Sequence, residues 1–378
     1  MNNTATAMSD SMLWQDSHQI ITDVGHVSKQ ELSKAANRID QGHYPLDIMG
    51  KLGRAGAFAA HLDMHGNRFD IAILAMQEIA RSCGSTGFLT WCHDVCGLYM
   101  EQSGNPALLA RLPDHTNGNT FGGTALSNPM KSLSGIESML LNAKPVPGGY
   151  HVSGTLPWVS HIKHGQYCGA IAAVNKADGS RSHEIMFLLD IDDSVSLRAC
   201  PEFSGMEGTS TWSVTLDNYF VGDDNLIADP AAPFISKIKG AFILLQAGMA
   251  TGVIQRSIDE IRAVETTLGH VNQFLQHGAD ELDAELNELS ESVVKLAKTP
   301  YEGSKDFLLD VLDARCYGAE LALKASQSSL MHQGAKGYLM SAAPQRLIRE
   351  AHFVAIVTPA MKHLRWEMNR LMSEDMPK

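Results

Sequence analysis

Cysteine is scarce. Six are spread over 378 residues, at Cys83, Cys92, Cys96, Cys168, Cys200 and Cys316, too few and too scattered for a disulfide framework; a reducing cytoplasm is the simplest setting. Cys92, His93 and Cys96 are close enough to suggest a metal, but no second pair follows at ligand spacing, so none is expected. Basic residues are also short, 30 Lys and Arg against 42 Asp and Glu for a formal charge of −12. No concentrated basic face is left for nucleic acid. There is no run of roughly 18 uncharged apolar residues, so no membrane span is expected. Met1 to Asp10 lacks the charged-then-apolar order of a signal peptide, and residues 1–14 read as a disordered tail. What remains is 44% hydrophobic and 19% charged, a soluble globular chain long enough for two or three sub-domains.

Three blocks follow from the hydrophobic period. Residues 15–118 read as helices. Ser28 and Glu31 have capping-box spacing, Pro45 opens a helix that ends near Gly56, and Asp70 to Arg81 carries an apolar stripe at Ile71, Leu74, Ala75 and Ile79. Phe88 to Tyr99 is apolar on most faces and is expected to be buried. Residues 119–228 change to short β-type runs between Gly, Asp and Asn turns. Residues 229–378 return to long helices: Lys239 to Val264, Glu281 to Ala297, Val311 to Gln333, and Gln345 to Met372 with a kink at Pro359.

The passage from Thr124 to Ser160 reads as antiparallel sheet between the helical blocks, turning at Pro147-Gly148-Gly149. Ser127, Trp158 and Ser160 put two hydroxyls and an indole on it, groups that can flank a planar heteroaromatic ring and hydrogen-bond its edge. Local chemistry allows a second reading, in which Trp158 is core and the serines are turn residues.

Six segments then fall in order: Gln77 to Ser85, Ala125 to Pro129, Gly154 to Ser160, Phe203 to Asp217, Gly334 to Tyr338, and Arg346 to Ala351. Together they resemble the acyl-CoA dehydrogenase superfamily over essentially the whole chain. The resemblance implies an α+β fold with an N-terminal helical domain, a middle β-barrel or sandwich, and a C-terminal four-helix bundle. It also implies a flavin, FAD or alternatively FMN, and a dimer or tetramer. Ser127, helped by backbone amides at Ala125 and Leu126, would bond the pyrimidine edge of the ring. Trp158 would pack on the ring and Ser160 would lie near N5. Gly334 and Ala335 would meet the dinucleotide.

The departures from the family pattern bear on the chemistry. The carboxylate base of a dehydrogenase stands nine residues after the arginine of the last motif; counted from Arg349, that place holds Thr358. A threonine hydroxyl has too high a pKa to replace glutamate, and Gly240 to Leu245 offers no acid at the alternative place. The serine-bearing segment that touches the thioester arm in acyl-CoA members is altered to Ser132-Leu133-Ser134. Thr358-Pro359 and His93 are instead similar to the flavin-dependent monooxygenase branch, although that branch's second histidine is Val357 here. His93 would stabilise a C4a-hydroperoxide of the flavin and deliver its proton; its other reading is a buried helix histidine bonded to a carbonyl. Glu265 replaces an arginine that binds the diphosphate, which suits a diffusible reduced flavin supplied by a separate reductase.

These features lead to a monooxygenase acting with molecular oxygen on a small aromatic or heteroaromatic, indole-like compound. Trp91, Phe242 and Thr358 are expected to line its pocket. The alternative is acyl-CoA α,β-desaturation with a base elsewhere, Glu207 and Glu350 being the acids nearest the motifs. His161, Lys163 and His164 are expected either at the pocket mouth or on a surface turn.

Overall fold

The computed structural model describes residues 10–176 and 180–373. The helices α1 (Asp10–Val27), α2 (Ser33–Asp40), α3 (Leu46–Arg54), α4 (Phe69–Ser82), α5 (Gly84–Ser103), α6 (Pro106–Leu109) and α7 (Leu112–Thr116) come first. Strand β1 (Gly122–Thr124) and helix α8 (Ser127–Leu133) lead into β2 (Leu141–Val146), β3 (Gly149–Val159), β4 (Tyr167–Asn175), β5 (Arg181–Asp190), β6 (Ser196–Ala199), β7 (Trp212–Gly222) and β8 (Leu226–Ala228). The last block is α9 (Ala231–Leu244), α10 (Ala247–Asn272), α11 (Ala279–Leu296), α12 (Lys305–Gln333), α13 (Ala343–Ile356) and α14 (Met361–Ser373). The class is α+β, helices, then one sheet, then helices.

The sheet runs β6-β7-β3-β2-β4-β5-β8, with β1 parallel to β4. The β2–β3 hairpin turns where the sequence places it, and Gly149 must be glycine: at φ +153, a Cβ would lie 2.0 Å from Val221 O. A sheet core gathers Val152, Leu156, Phe187 and Val214. A second core fuses the bundle with α4 and α5, and a third lies under α1–α3.

Several boundaries differ from the sequence reading, each for a local reason. Residues 1–9 of the expected tail lie outside the described residues, whereas residues 10–14 belong to α1. Ser28 is not a cap: the backbone stays right-handed through a π turn at Ser28–Leu32, and its buried hydroxyl has no partner. Ser127–Leu133 is helical rather than extended, because the Asn-Pro step seats its proline inside the first turn, where no N–H is needed. The helix expected over Lys239 to Val264 breaks at Leu245-Gln246, and α13 and α14 are separated rather than kinked, since a residue before proline avoids helical geometry.

The apolar stretch Ala231–Asn272 is long enough to cross a membrane, yet 89% of its apolar window is buried inside the bundle. It is the core helix pair of the C-terminal block. Helix α10 presses on α4 through two small residues. A Cβ on Gly248 would lie 2.7 Å from Ile73 O, and one on Gly252 would lie 2.5 Å from Ala80 Cβ and 2.6 Å from Gln77 O. Gly252→Val is therefore expected to cost about 3 kcal/mol through overpacking, read as a lower urea midpoint; an unchanged midpoint would mean that the helices can part freely.

Candidate active site

The site begins where two strand ends meet. A Cβ on Gly123 would lie 2.6 Å from Ser160 O, so β1 runs directly against the end of β3. This sets Thr124 to Ser127 beside Trp158 to Ser160. A register shift against β7 between Leu156 and Val159 turns Trp158 outward. Its side chain is 61% exposed and stacks on no aromatic ring among the described residues. Trp158 is therefore surface, not core.

Ser127 is exposed at the start of α8, and its Oγ lies 3.0 Å from Thr358 Oγ1 in the α13–α14 break. Positions 231 residues apart thus share one hydroxyl pair. Ser160 Oγ bonds Thr211 Oγ1 at 2.7 Å, and Thr211 bonds Thr209 Oγ1 at 2.9 Å. The amide of Ala125 is not free for a ligand: it donates to Gly169 O at 2.8 Å.

Ser127 and Thr358 mark a seam between α8 and the α13–α14 break, the candidate cleft, and its backing is polar. Gln246, in the α9–α10 break, donates through Nε2 to Thr358 O at 2.9 Å. Its Oε1 accepts from Arg315 Nε at 2.6 Å, and Arg315 Nη2 donates to Val354 O at 2.5 Å. The sequence reading missed both residues. No local signal marks them, because each is an ordinary helix residue until the tertiary fold buries it.

The floor is aromatic and closed. Leu126 shares a core with Phe88, Trp91 and Phe242, all buried. Trp91 Nε1 donates to Phe242 O at 3.2 Å, the Trp91 and Phe242 rings lie 5.1 Å apart, and Phe88 meets Phe353 at 4.6 Å. Trp91 and Phe242 come together as expected, but as packed floor with almost no exposed surface.

His93 does not open onto this cleft. Its ring is fully buried, stacked on His115 at 3.6 Å between centroids, with Phe58 at 4.5 Å. Nε2 donates to His115 O at 2.9 Å and Nδ1 accepts from Gly122 N at 3.3 Å, so both nitrogens are used and the ring is neutral. Burial lowers its pKa to about 3. The carbonyl-bonded helix histidine is the reading this geometry matches, and no proton-delivery role is retained. His115 reciprocates, donating Nε2 to His93 O at 2.9 Å and accepting at Nδ1 from Tyr167 OH. His161 is fully buried against Tyr44 OH at 2.8 Å, so it does not line a pocket mouth, while Lys163 and His164 are exposed.

Gly334 and Ala335 lie in the loop before α13, whereas Thr358 follows it. The 14 residues of α13 span about 21 Å at ~1.5 Å per residue, so one chain does not bring these glycine-loop residues to Ser127. Glu350 is also elsewhere: it accepts from Gly84 N and Arg346 and is walled in. Glu207 accepts from Phe203 N. Neither acid serves the cleft. Arg346 and Arg349 hold structural pairs with Glu350 and Asp40, each at 2.7 Å.

Beside the histidines, Asp94 is fully buried and neither of its carboxylate oxygens has a hydrogen-bond partner. Burial raises its pKa well above the usual range. The folded chain keeps this proton at pH values where the unfolded chain has lost it, so the residue costs stability as pH rises above roughly 4. Asp94→Asn is expected to raise the thermal midpoint at neutral pH, with the gain vanishing in acid. A variant less stable at neutral pH would show that Asp94 is ionised and paired.

Comparison with known proteins agrees with this architecture. Residues 15–119 match the family described as Acyl-CoA dehydrogenase, N-terminal domain. The chain has the acyl-CoA dehydrogenase fold. The mitochondrial isovaleryl-CoA dehydrogenase of Oryza sativa subsp. japonica is 25% identical over 367 residues, covering 92% of this chain and 89% of its own. A solved glutaryl-CoA dehydrogenase superposes with a TM-score of 0.83 at 18% identity, over 99% of this chain and 96% of the other. A dibenzothiophene monooxygenase from a Paenibacillus species superposes with a TM-score of 0.76 at 16% identity, over 95% of this chain and 98% of the other.

A flavin fits the residues present. The open hydroxyl of Ser127 can bond a ring edge, and the bare indole of Trp158 offers a face for stacking. The amide expected from Ala125 is unavailable, and Gly334 and Ala335 are not brought to the site within one chain.

Proposed function

We propose that this chain is a flavin-dependent oxidoreductase that oxygenates a small aromatic or heteroaromatic compound with molecular oxygen, using reduced FAD handed over by a separate reductase. The observation that carries this reading is the Ser127–Thr358 hydroxyl pair. Among the described residues no Asp or Glu hydrogen-bonds or ion-pairs with Ser127, Thr358, Gln246 or Arg315. Abstracting a proton next to a thioester calls for a base with a pKa near the working pH, and a hydroxyl does not supply one.

Bound flavin would supply the redox chemistry. The chain's own residues would orient and shield it: Ser127, with Thr358 beside it, would take the ring edge, and Trp158 would cover a face. The closed floor of Phe88, Trp91, Phe242 and Phe353 would keep water from the site. The Paenibacillus monooxygenase has been solved with FMN and with indole, which supports both the flavin and the substrate class proposed here.

Acyl-CoA desaturation is the second reading, favoured by the curated relatives, which are acyl-CoA dehydrogenases. Photoreduced FAD, the purified protein, labelled oxygen and a panel of aromatic compounds separate the two. Label in an aromatic product supports oxygenation. Bleaching of oxidised bound flavin by an acyl-CoA, with no label incorporated, would overturn it.

A second copy of the chain is proposed to cover the bundle end where Phe274, Tyr338 and Met340 are 84%, 74% and 73% exposed, giving a dimer or tetramer. That contact would also give Gly334 and Ala335 a flavin to meet, one bound by the neighbouring copy.

Trp158→Ala tests the cofactor face alone. The side chain packs little, so the thermal midpoint is expected to hold, while flavin affinity falls about tenfold for a lost stacking contact of roughly 1.4 kcal/mol. Flavin fluorescence titration reads it; unchanged affinity places the ring elsewhere.

A further inference from the structure

Arg315 is a buried cation without a counter-ion. It sits in the middle of α12 with 2% of its surface exposed. The other deeply buried arginine, Arg346, has Glu350 at 2.7 Å, but among the described residues no carboxylate pairs with Arg315. Its contacts are neutral: Gln246 Oε1 and Val354 O. Nη1 is buried and has no partner. Val354 lies in the last turn of α13, where carbonyl dipoles give partial compensation, but only a fraction of a charge.

Bracing does not require a charge. A well-packed neutral side chain of similar volume often serves a fold as well as a buried ion does. What the charge can do depends on its place. Arg315 bonds Gln246, Gln246 bonds Thr358 O, and the Thr358 hydroxyl bonds Ser127. The guanidinium therefore stands directly behind the cleft wall, in surroundings dry enough for its field to reach a ligand little screened. Burial lowers even this guanidinium's pKa, to about 10, so it remains charged at neutral pH.

We propose that Arg315 makes the Ser127–Thr358 cleft selective for a planar, delocalised anion, its missing negative charge arriving with the ligand. Two sources carry that chemistry: the ring of a reduced flavin in its anionic form, and the carboxylate of an aromatic acid. The first source rests on the flavin reading above; the second does not.

The full-length protein, Arg315→Gln and Arg315→Lys are compared in two arms. In the first, the midpoint potential and ultraviolet-visible spectrum of bound FAD are recorded without oxygen. Stabilisation of the anionic reduced ring makes the Gln variant's potential more negative, by about 30 mV for a tenfold effect on a two-electron couple. In the second, Trp fluorescence titrations compare phenylacetate with neutral phenylacetamide. The wild type is expected to favour the acid at least tenfold, the Gln variant to lose that preference, and the Lys variant to retain most of it.

A shift in the first arm alone assigns the anion to the flavin, and a shift in the second alone assigns it to the substrate. If Arg315→Gln weakens acid and amide equally and leaves the potential unchanged, the residue only braces the wall and the proposal fails. A Gln variant that does not fold leaves the wild type decisive: no preference for the acid, together with a neutral reduced ring, overturns it. A protein that binds no flavin but prefers the acid refutes the flavin reading and leaves this inference standing.

Discussion

Stability is expected to fall as the solution is acidified below roughly pH 6.5, by about 1.36 kcal/mol per pH unit for each net proton taken up on unfolding. The source is four fully buried histidines, His61, His93, His115 and His161. Burial lowers all four below the ordinary value of 6.5: His61 to about 4, His93 to about 3, His115 and His161 well below. Their surroundings explain why no partner restores the charge. Phe58 and Phe121 flank His93, its stacked neighbour is another histidine, and the nitrogens face carbonyls, an amide and hydroxyls rather than carboxylates. Below pH 6.5 the unfolded chain binds protons that the folded chain refuses, so acid favours unfolding. Asp94 acts the other way, since burial raises it and the folded chain keeps a proton that the unfolded chain releases above roughly 4. The four histidines outweigh this single carboxyl, so the net effect of acid is to destabilise the fold. Urea titrations at about pH 7, 6 and 5 read the slope; midpoints that coincide at all three would mean that the cluster is hydrated and already titrating in the folded chain.

The difference between what the sequence disclosed and what it concealed follows the range of the forces involved. Periodicity is a local property, so the succession of helices, sheet and helices and the turn at Gly148-Gly149 were legible. The break at Gln246 was not. From Gly240 to Ile254 every residue is buried, so the pattern continues across the interruption without a visible change. Arg315 has the sequence setting of a solvated helix arginine, and only the arrival of α13 and Gln246 reveals that it is enclosed. His93 was noticed because a family motif pointed to it, whereas His115 and Asp94 had no such pointer. Yet the His93–His115 stack decides that His93 is structural. Trp158 was ambiguous in sequence for a related reason: alternation along β3 places it inside, and the register shift that turns it outward belongs to the pairing with β7.

Thr358→Glu is expected to abolish oxygenation, lowering product formation at least about 100-fold, the lower end of what a misplaced acid–base group costs, without unfolding the protein. The hydroxyl pair is replaced by a carboxylate facing Ser127, with the Arg315 guanidinium behind it through Gln246. Such a carboxylate satisfies the buried cation from within, so the anion that the cleft would otherwise attract is repelled. It also places a base where a dehydrogenase requires one. The variant therefore separates scaffold from chemistry: labelled oxygen in product measures the loss, and acyl-CoA bleaching of bound flavin measures any gain. Gain with loss would mean that the cleft still admits a thioester and that one side chain sets the reaction. Loss alone would mean that the walls, Ser127 to Ser134 and α14, have also been reshaped against it. Unimpaired oxygenation in Thr358→Glu would place the reacting atoms away from the Ser127–Thr358 pair and remove the observation on which the oxygenase reading stands.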